Sequence, residues 1–349
     1  MEAKVYAKVG NQGWYPEYFE LPVKPKAAAP EDFVLTVEQH GEKVEKVIRS
    51  VEAVEGGLRI FPEPFSYSSP FSLQGQGAAK EIHLEKPDVA GVTVEGLECF
   101  EDKRENGVLY RLYMPGAGPR PLLLFLHGGG ESGSDNFKQM VGTVGALRLA
   151  ERYPDFYVMA PQAPAPAKPP SMPTRQSFGG MHEQPRTGWH REYLAAVCDI
   201  IRGMVAAGQV DPARIFVTGM SMGGGGTIRM LSVGSGLFAA AAPVCPTMTP
   251  ETYNILRSLT DTKIWVSTAY VDHSLYRHKY IVDAILALKD AGNKDARLTL
   301  FSPEELAAYG LGVGPEISLE RKFGENHACW MLVYSGEHGI LDWLVSQHR

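Results

Sequence analysis

The sequence predicts an α/β unit, built on a mostly parallel sheet with helices on both faces, preceded by a small all-β sandwich. Three observations carry this reading. From about residue 94, short apolar runs alternate with segments of helical period. Before that point no helical period survives for more than a turn or two. Within the later part, one apolar run leads through Gly-x-Ser-x-Gly directly into a helical segment.

The first part, residues 1–93, holds runs rich in β-branched and aromatic residues, such as 32–37 and 57–61, separated by Pro and Gly. That is the pattern of short strands and turns in a small antiparallel β domain. The second part, 94–349, opens on a hairpin, with strands expected at 92–101 and 108–113 and Asn106-Gly107 as its turn. Strands then follow at 122–126, 156–160, 214–218, 239–244, 263–269 and 297–301. Helices are expected near 136–152, 191–207, 222–231, 276–291 and 340–347. The strands are continuous apolar runs rather than alternating ones, as a parallel sheet covered on both faces requires. The proline-rich stretch 161–173 can be neither helix nor central strand. With Gly179-Gly180 behind it, the whole of 161–189 reads as a long surface loop over the C-terminal edge of the sheet.

A chain of 349 residues, 44% of them hydrophobic, is long enough for a catalytic domain and a smaller companion. A net charge of -6 and a pI near 6.0 give no electrostatic reason to expect nucleic acid or an anionic membrane as partner. No stretch approaches the roughly 18–20 uninterrupted apolar residues of a membrane span. The start, MEAKVYAKVG, has no apolar leader. The chain as it stands therefore reads as cytoplasmic, with secretion open if a signal has been removed. Cys99, Cys198, Cys245 and Cys329 show no metal spacing and read as buried small hydrophobes in a reducing compartment.

The chemistry centres on Gly219-Met220-Ser221-Met222-Gly223. In a chain with 37 glycines the bare pattern is weak. Its place between an apolar strand and a helix makes it strong, because that is the setting of a nucleophile elbow. Ser221 is therefore the expected nucleophile, and the helix start behind it favours a developing negative charge. A second apolar run ends in His127-Gly128-Gly129-Gly130. Backbone N–H groups of Gly129 or Gly130 would join that of Met222 in an oxyanion hole, glycine letting the backbone approach the ligand. His127 reads as structural.

The acid must follow Ser221 and lie at the C-terminal end of a strand. Asp261 precedes its strand, and Asp283 falls in a helical pattern. Asp272, just after the run 263–269, is the expected acid. For the base, His273 and His278 lie too close to Asp272, and His348 is at the end of the chain. His327 and His338 remain. His327 sits in the loop after the last strand and is preferred, and His338 precedes the terminal helix, where a capping or solvated role is ordinary. Trp189 and Trp330 are candidate substrate contacts. Neither a metal nor an organic cofactor is needed by this chemistry.

With these residues in hand, 94–349 resembles the esterase or "predicted peptidase" group of α/β-hydrolases, close to polyhydroxybutyrate depolymerase-like and feruloyl-esterase-like enzymes. The resemblance rests on Tyr110-Arg-Leu-Tyr113, His127–Gly133 with Asp135-Asn136, Ala160-Pro-Gln162 and 211–224. It continues through 238–243, His327-Ala-Cys-Trp330 and Asp342-Trp-Leu344. It implies the α/β-hydrolase fold, Ser221, Asp272 and His327 in the triad roles, and an immunoglobulin-like domain over 1–93. The stretch 302–322 is longer than the common pattern and reads as a lid over the acyl pocket.

The expected function is hydrolysis of carboxylic esters, with small or medium acyl groups, or hydroxycinnamoyl and acetyl groups on plant sugars. The expected partner is thus a small-molecule or glycan-linked ester, and assembly into a homo-oligomer is left open. A serine peptidase of prolyl-oligopeptidase-like type is the alternative, separable by turnover of p-nitrophenyl acetate against an aminoacyl p-nitroanilide. A third reading is a non-catalytic glycan-binding protein, against which an intact Ser221, Asp272 and His327 argue.

Overall fold

The computed structural model describes residues 2–23, 28–39, 41–165, 188–272, 277–313 and 324–349. The chain divides into two compact units. One is Met1–Glu98 with Val141–Val144, and the other is Cys99–Met140 with Gly145–Arg349.

The first unit is two sheets. Strands β1 (Ala3–Gly10), β2 (Gly13–Leu21), β5 (Ile48–Val54), β6 (Gly57–Pro62) and β9 (Val89–Val94) form a sheet in the order β5-β6-β2-β1-β9. Strands β3 (Phe33–Gln39), β4 (Glu42–Lys46), β7 (Phe71–Gly75) and β8 (His83–Glu85) form a second, β4-β3-β7-β8. Alternate residues point inward, as period-2 geometry requires. Ala3, Val5 and Ala7 of β1 and Phe33, Leu35 and Val37 of β3 are buried. Phe19 of one sheet meets Phe71 of the other at 5.2 Å between ring centroids, which makes the pair a sandwich. One pairing is not antiparallel: β9 lies parallel to β1, joining Val5 to Val92. The expected strand over 92–101 is therefore two strands. Its beginning belongs to β9 here, and its end to a hairpin of the second unit.

That hairpin is β10 (Phe100–Glu105) and β11 (Val108–Tyr113), turned at Asn106 and Gly107, both with positive φ. It begins an eight-stranded sheet with β12 (Arg120–Leu126), β13 (Tyr157–Pro161), β14 (Val210–Met220), β15 (Ala240–Val244), β16 (Ile264–Ala269) and β17 (Ala296–Phe301). The order is β10-β11-β13-β12-β14-β15-β16-β17, and every pairing from β13 to β17 is parallel. The chain reverses direction across the sheet where β12 sits between β13 and β14. Sheets of this kind place their sites at the C-terminal edge beside such a switch point.

Helices α1 (Gly145–Arg152), α2 (Arg191–Ala206), α3 (Met222–Val233), α4 (Pro250–Ser258), α5 (Arg277–Asp290) and α6 (Pro303–Ala308) follow in chain order. The chain closes with short helices at Trp330–Tyr334 and Ile340–Val345. Helices α2, α3, α4 and α5 pack in succession on one side, and α1 packs with Trp330–Tyr334 on the other. Strand β12 shows why its sequence is apolar throughout. Leu122, Leu124 and Leu126 join the core on the α2–α5 side. Between them Phe125 faces Tyr334 on the opposite side, at 5.6 Å. Each of these side chains is fully buried, contributing roughly 1.5–3 kcal/mol apiece.

The helix expected over 136–152 is interrupted. Only Lys138–Val141 and α1 are helical. At Gly145 an added Cβ would fall 2.3 Å from the Phe125 ring, so α1 starts where a glycine lets it approach the sheet. Of the loop expected at 161–189, residues 166–187 lie outside the described residues, as do residues 314–322 of the lid expected over 302–322. Three cysteines are buried, but Cys99 is exposed, against expectation, and all four are free thiols.

Candidate active site

The strand-to-helix turn at Ser221 forms because nothing but glycine fits around it. A Cβ at Gly219 would lie 2.6 Å from both the Gly223 and Leu126 carbonyl oxygens. At Gly223 it would lie 1.9 Å from the Leu126 oxygen and 2.5 Å from that of His127. The same holds further along α3: Gly224 meets the Val244 oxygen at 2.5 Å, Gly225 that of Thr247 at 2.8 Å, and Gly226 the Trp189 ring at 2.7 Å. Four glycines weaken a helix by roughly 1 kcal/mol each relative to alanine. They are present because α3 is wedged between the ends of β12 and β15.

Ser221 itself has φ 56° and ψ -116°, a conformation that costs a non-glycine residue about 1–3 kcal/mol. Its backbone is pinned on both sides. The Ser221 N–H donates to the Val244 carbonyl at 2.9 Å, and its carbonyl accepts from Thr247 N–H at 2.9 Å. The hydroxyl is thereby held at the C-terminal edge of the sheet.

The structure brings Asp272 and His327 to that hydroxyl. Asp272 follows β16 and is fully buried. Its Oδ2 lies 2.8 Å from His327 Nδ1, and His327 Nε2 lies 2.8 Å from Ser221 Oγ. A carboxylate can only accept, so Nδ1 carries the proton and Nε2 is left to accept the serine hydroxyl. Asn326, also buried, donates from Nδ2 to the Val271 carbonyl at 3.0 Å, tying the loop of His327 to the loop of Asp272. Nothing in the sequence marks this asparagine except that it adjoins His327. His338 lies elsewhere, against the Phe301 ring and 3.9 Å from Glu305.

Gly129–Glu131 is a single 3-10 turn following His127, and Met222 is the first residue of α3. The leading N–H groups of a helical turn have no intrahelical acceptor, and Gly129, Gly130 and Met222 occupy such leading positions. A Cβ at Gly128 would lie 3.8 Å from that of Ser221, which shows how near this loop passes. Glycine is not demanded by the scaffold at 129 or 130, where a Cβ would meet open space.

His127 is buried and neutral. Its Nε2 accepts from Ala163 N–H at 2.9 Å, so Nδ1 holds the proton and donates to the Gly128 carbonyl at 2.6 Å. Burial pushes its pKa down to about 4. The approach of Glu131 Oε2, 3.8 Å from Nδ1, is therefore not an ion pair at neutral pH. Trp189, read from sequence as a substrate contact, is fully buried instead. Its indole N–H donates to the His127 carbonyl at 3.1 Å and its ring lies 4.9 Å from the imidazole. It buttresses the loop from behind. Trp330 is half-buried, with its ring 5.6 Å from His327 and perpendicular to it, on the rim of the site.

Burial pushes the Cys329 thiol well above its ordinary range, with Cys245 and Asp272 adding to the effect, so it stays protonated. Among the described residues, no group of three or more His, Cys, Asp or Glu could hold a metal ion.

No family model and no curated protein sequence matches the chain. Among solved structures, a thermostable esterase superposes with a TM-score of 0.70 at 21% identity, covering 100% of each chain. The fold is that of the α/β-hydrolases. At that identity the likeness is one of fold alone. Two further structures align less well. An S-formylglutathione hydrolase from Staphylococcus aureus has a TM-score of 0.45 at 14% identity, over 70% of this chain and 95% of its own. A carboxylesterase from Lactobacillus plantarum has a TM-score of 0.41 at 16% identity, over 69% and 98%.

Proposed function

We propose that this chain is a serine esterase, hydrolysing carboxylic esters through an acyl-enzyme on Ser221. The observation that carries the reading is His327, held at 2.8 Å from both Asp272 and Ser221 with its two ring nitrogens in opposite roles. In this mechanism His327 Nε2 takes the Ser221 proton as Oγ attacks the ester carbonyl, and then gives it to the departing alkoxide. Asp272 keeps the imidazole in the required tautomer and stabilises the imidazolium. The N–H groups of Met222 and of Gly129 or Gly130 receive the oxyanion, each such donor contributing about 3–4 kcal/mol to the transition state. Water, activated by the same histidine, releases the acid.

The substrates we propose are esters of small or medium acyl groups, or hydroxycinnamoyl and acetyl groups, with Trp330 as an aromatic contact for the acyl part. The test is kcat/KM across p-nitrophenyl esters of graded chain length, methyl ferulate and an aminoacyl p-nitroanilide. Turnover of the esters with none of the anilide is expected. Preference for the anilide would replace the esterase by a peptidase.

A further inference from the structure

Ala160-Pro-Gln162 and Asp135-Asn136 lie in the chain far from each other and from Ser221, yet the structure joins them. Gln162 follows β13 and is 1% exposed. Its side-chain amide uses both ends. Nε2 donates to the Glu131 carbonyl at 3.1 Å and to Asp135 Oδ1 at 2.8 Å, and Oε1 accepts from Asn136 N–H at 2.7 Å. Its own backbone is fixed by a bond from its N–H to the Leu109 carbonyl and by the Tyr193 hydroxyl on its carbonyl, at 2.6 Å. The next residue continues the clamp: Ala163 N–H donates to His127, and its carbonyl accepts from Gly133 N–H at 2.9 Å.

Gln162 and Ala163, just past β13, thus hold the segment at His127, Glu131, Gly133, Asp135 and Asn136, while Trp189 bonds to its first residue and Asp102, Tyr110 and Arg111 to its last. Glu131 ends the turn that contains Gly129 and Gly130. Fixing its carbonyl fixes the turn, and so the direction of the two glycine N–H groups. Gly133 is adapted to the clamp, since a Cβ there would lie 2.8 Å from Gln162 Nε2.

We infer that Gln162 is a positioning residue for the oxyanion hole, its carboxamide setting where the Gly129 and Gly130 N–H groups stand relative to Ser221. This rests on the esterase reading above. A displacement of about 1 Å in such a group can cost on the order of a hundredfold in rate, without altering how the ground-state ester binds.

The experiment replaces Gln162 by methionine, which keeps the length and loses the three side-chain hydrogen bonds. Steady-state kinetics with p-nitrophenyl acetate, normalised to titrated active sites, are compared with inhibition by an aryl trifluoromethyl ketone, whose adduct places an oxyanion in the hole. The Gln162→Met enzyme should lose about 10- to 100-fold in kcat with KM within about threefold. The inhibition constant should rise by the same factor as kcat/KM falls, and the pH profile set by His327 should be unmoved. Gly133→Ala is the second variant, because its methyl group displaces the amide from the loop side while Gly133 has no positive φ to strain. It should show the same pattern, whether or not Gln162→Met folds. Unchanged kcat, or lowered kcat with unchanged ketone affinity, would overturn the inference. A wild-type protein that neither turns over the ester nor binds the ketone would instead overturn the esterase reading itself.

Discussion

Two glycine runs flank Ser221, one behind it in α3 and one across from it after β12, and they are alike only in composition. In Gly223–Gly226 each position is closed by backbone or ring atoms at 1.9–2.8 Å. In Gly128–Gly130 the first position is tight against Glu131 Oε2 at 3.0 Å, and the next two face open space. The first run is glycine because the scaffold is there. If the second must be glycine, the demand comes from what enters the site. One run builds the strained turn, and the other is free to serve chemistry.

The contrast can be broken from the serine outward. Ser221→Ala should lower kcat by about 10⁶ with the fold unchanged by circular dichroism, since triad members act as a unit. His327→Ala should be about as damaging, while His338→Ala should stay within about threefold of wild type. The reverse order of the two histidines would assign the base wrongly. Next in size is Gly223→Ala. Its methyl group would sit 1.9 Å from the Leu126 carbonyl, in backbone that cannot yield, so soluble folded protein should be lost or the urea midpoint should fall by the equivalent of several kcal/mol. A well-folded Gly223→Ala protein would show that the elbow is looser than drawn.

A smaller effect separates the runs by pH. Burial holds His127 at about 4, against about 6.5 in the unfolded chain. Its folded pKa is depressed, so the unfolded state takes up the proton first. The stability that neutral His127 secures is whole above about pH 6.5 and is lost as pH falls toward 4. Between about pH 7.5 and 5 that amounts to roughly 2 kcal/mol. Urea denaturation of wild type and His127→Asn at both pH values should show that excess slope in the wild type alone. Smallest are Gly129→Ala and Gly130→Ala, whose stability should stay within about 0.5 kcal/mol of wild type while kcat falls. A large stability loss at either position would erase the distinction between the runs.

Much of this was legible in the sequence for a local reason. The run 214–218 followed by Gly-x-Ser-x-Gly states strand, turn and helix in one window, and Asp272 is marked by its place just past an apolar strand. His327 stands out by elimination, because few histidines follow Asp272. What was not legible depends on partners distant in sequence. Trp189 looks like a substrate contact because an aromatic residue in a glycine-rich loop reveals its size and not the direction it faces, which is set by His127 and Gly226. The division between β9 and β10 was hidden because β9 pairs with β1, more than eighty residues earlier. The periodicity over 136–152 suggests one helix because it does not show the Phe125 ring, against which the chain can start α1 only at a glycine, Gly145. Gln162 and Asn326 read as ordinary loop amides until the carbonyls they bind are brought beside them.

The central claim is that Ser221 carries the acyl group. Brief reaction with p-nitrophenyl acetate, acid quench and peptide mass spectrometry tests it most directly. A single acetyl group on the peptide containing Ser221, absent from Ser221→Ala and accumulating in step with the p-nitrophenol burst, is the expected result. Acetyl on another residue, or a burst that persists in Ser221→Ala, would contradict it.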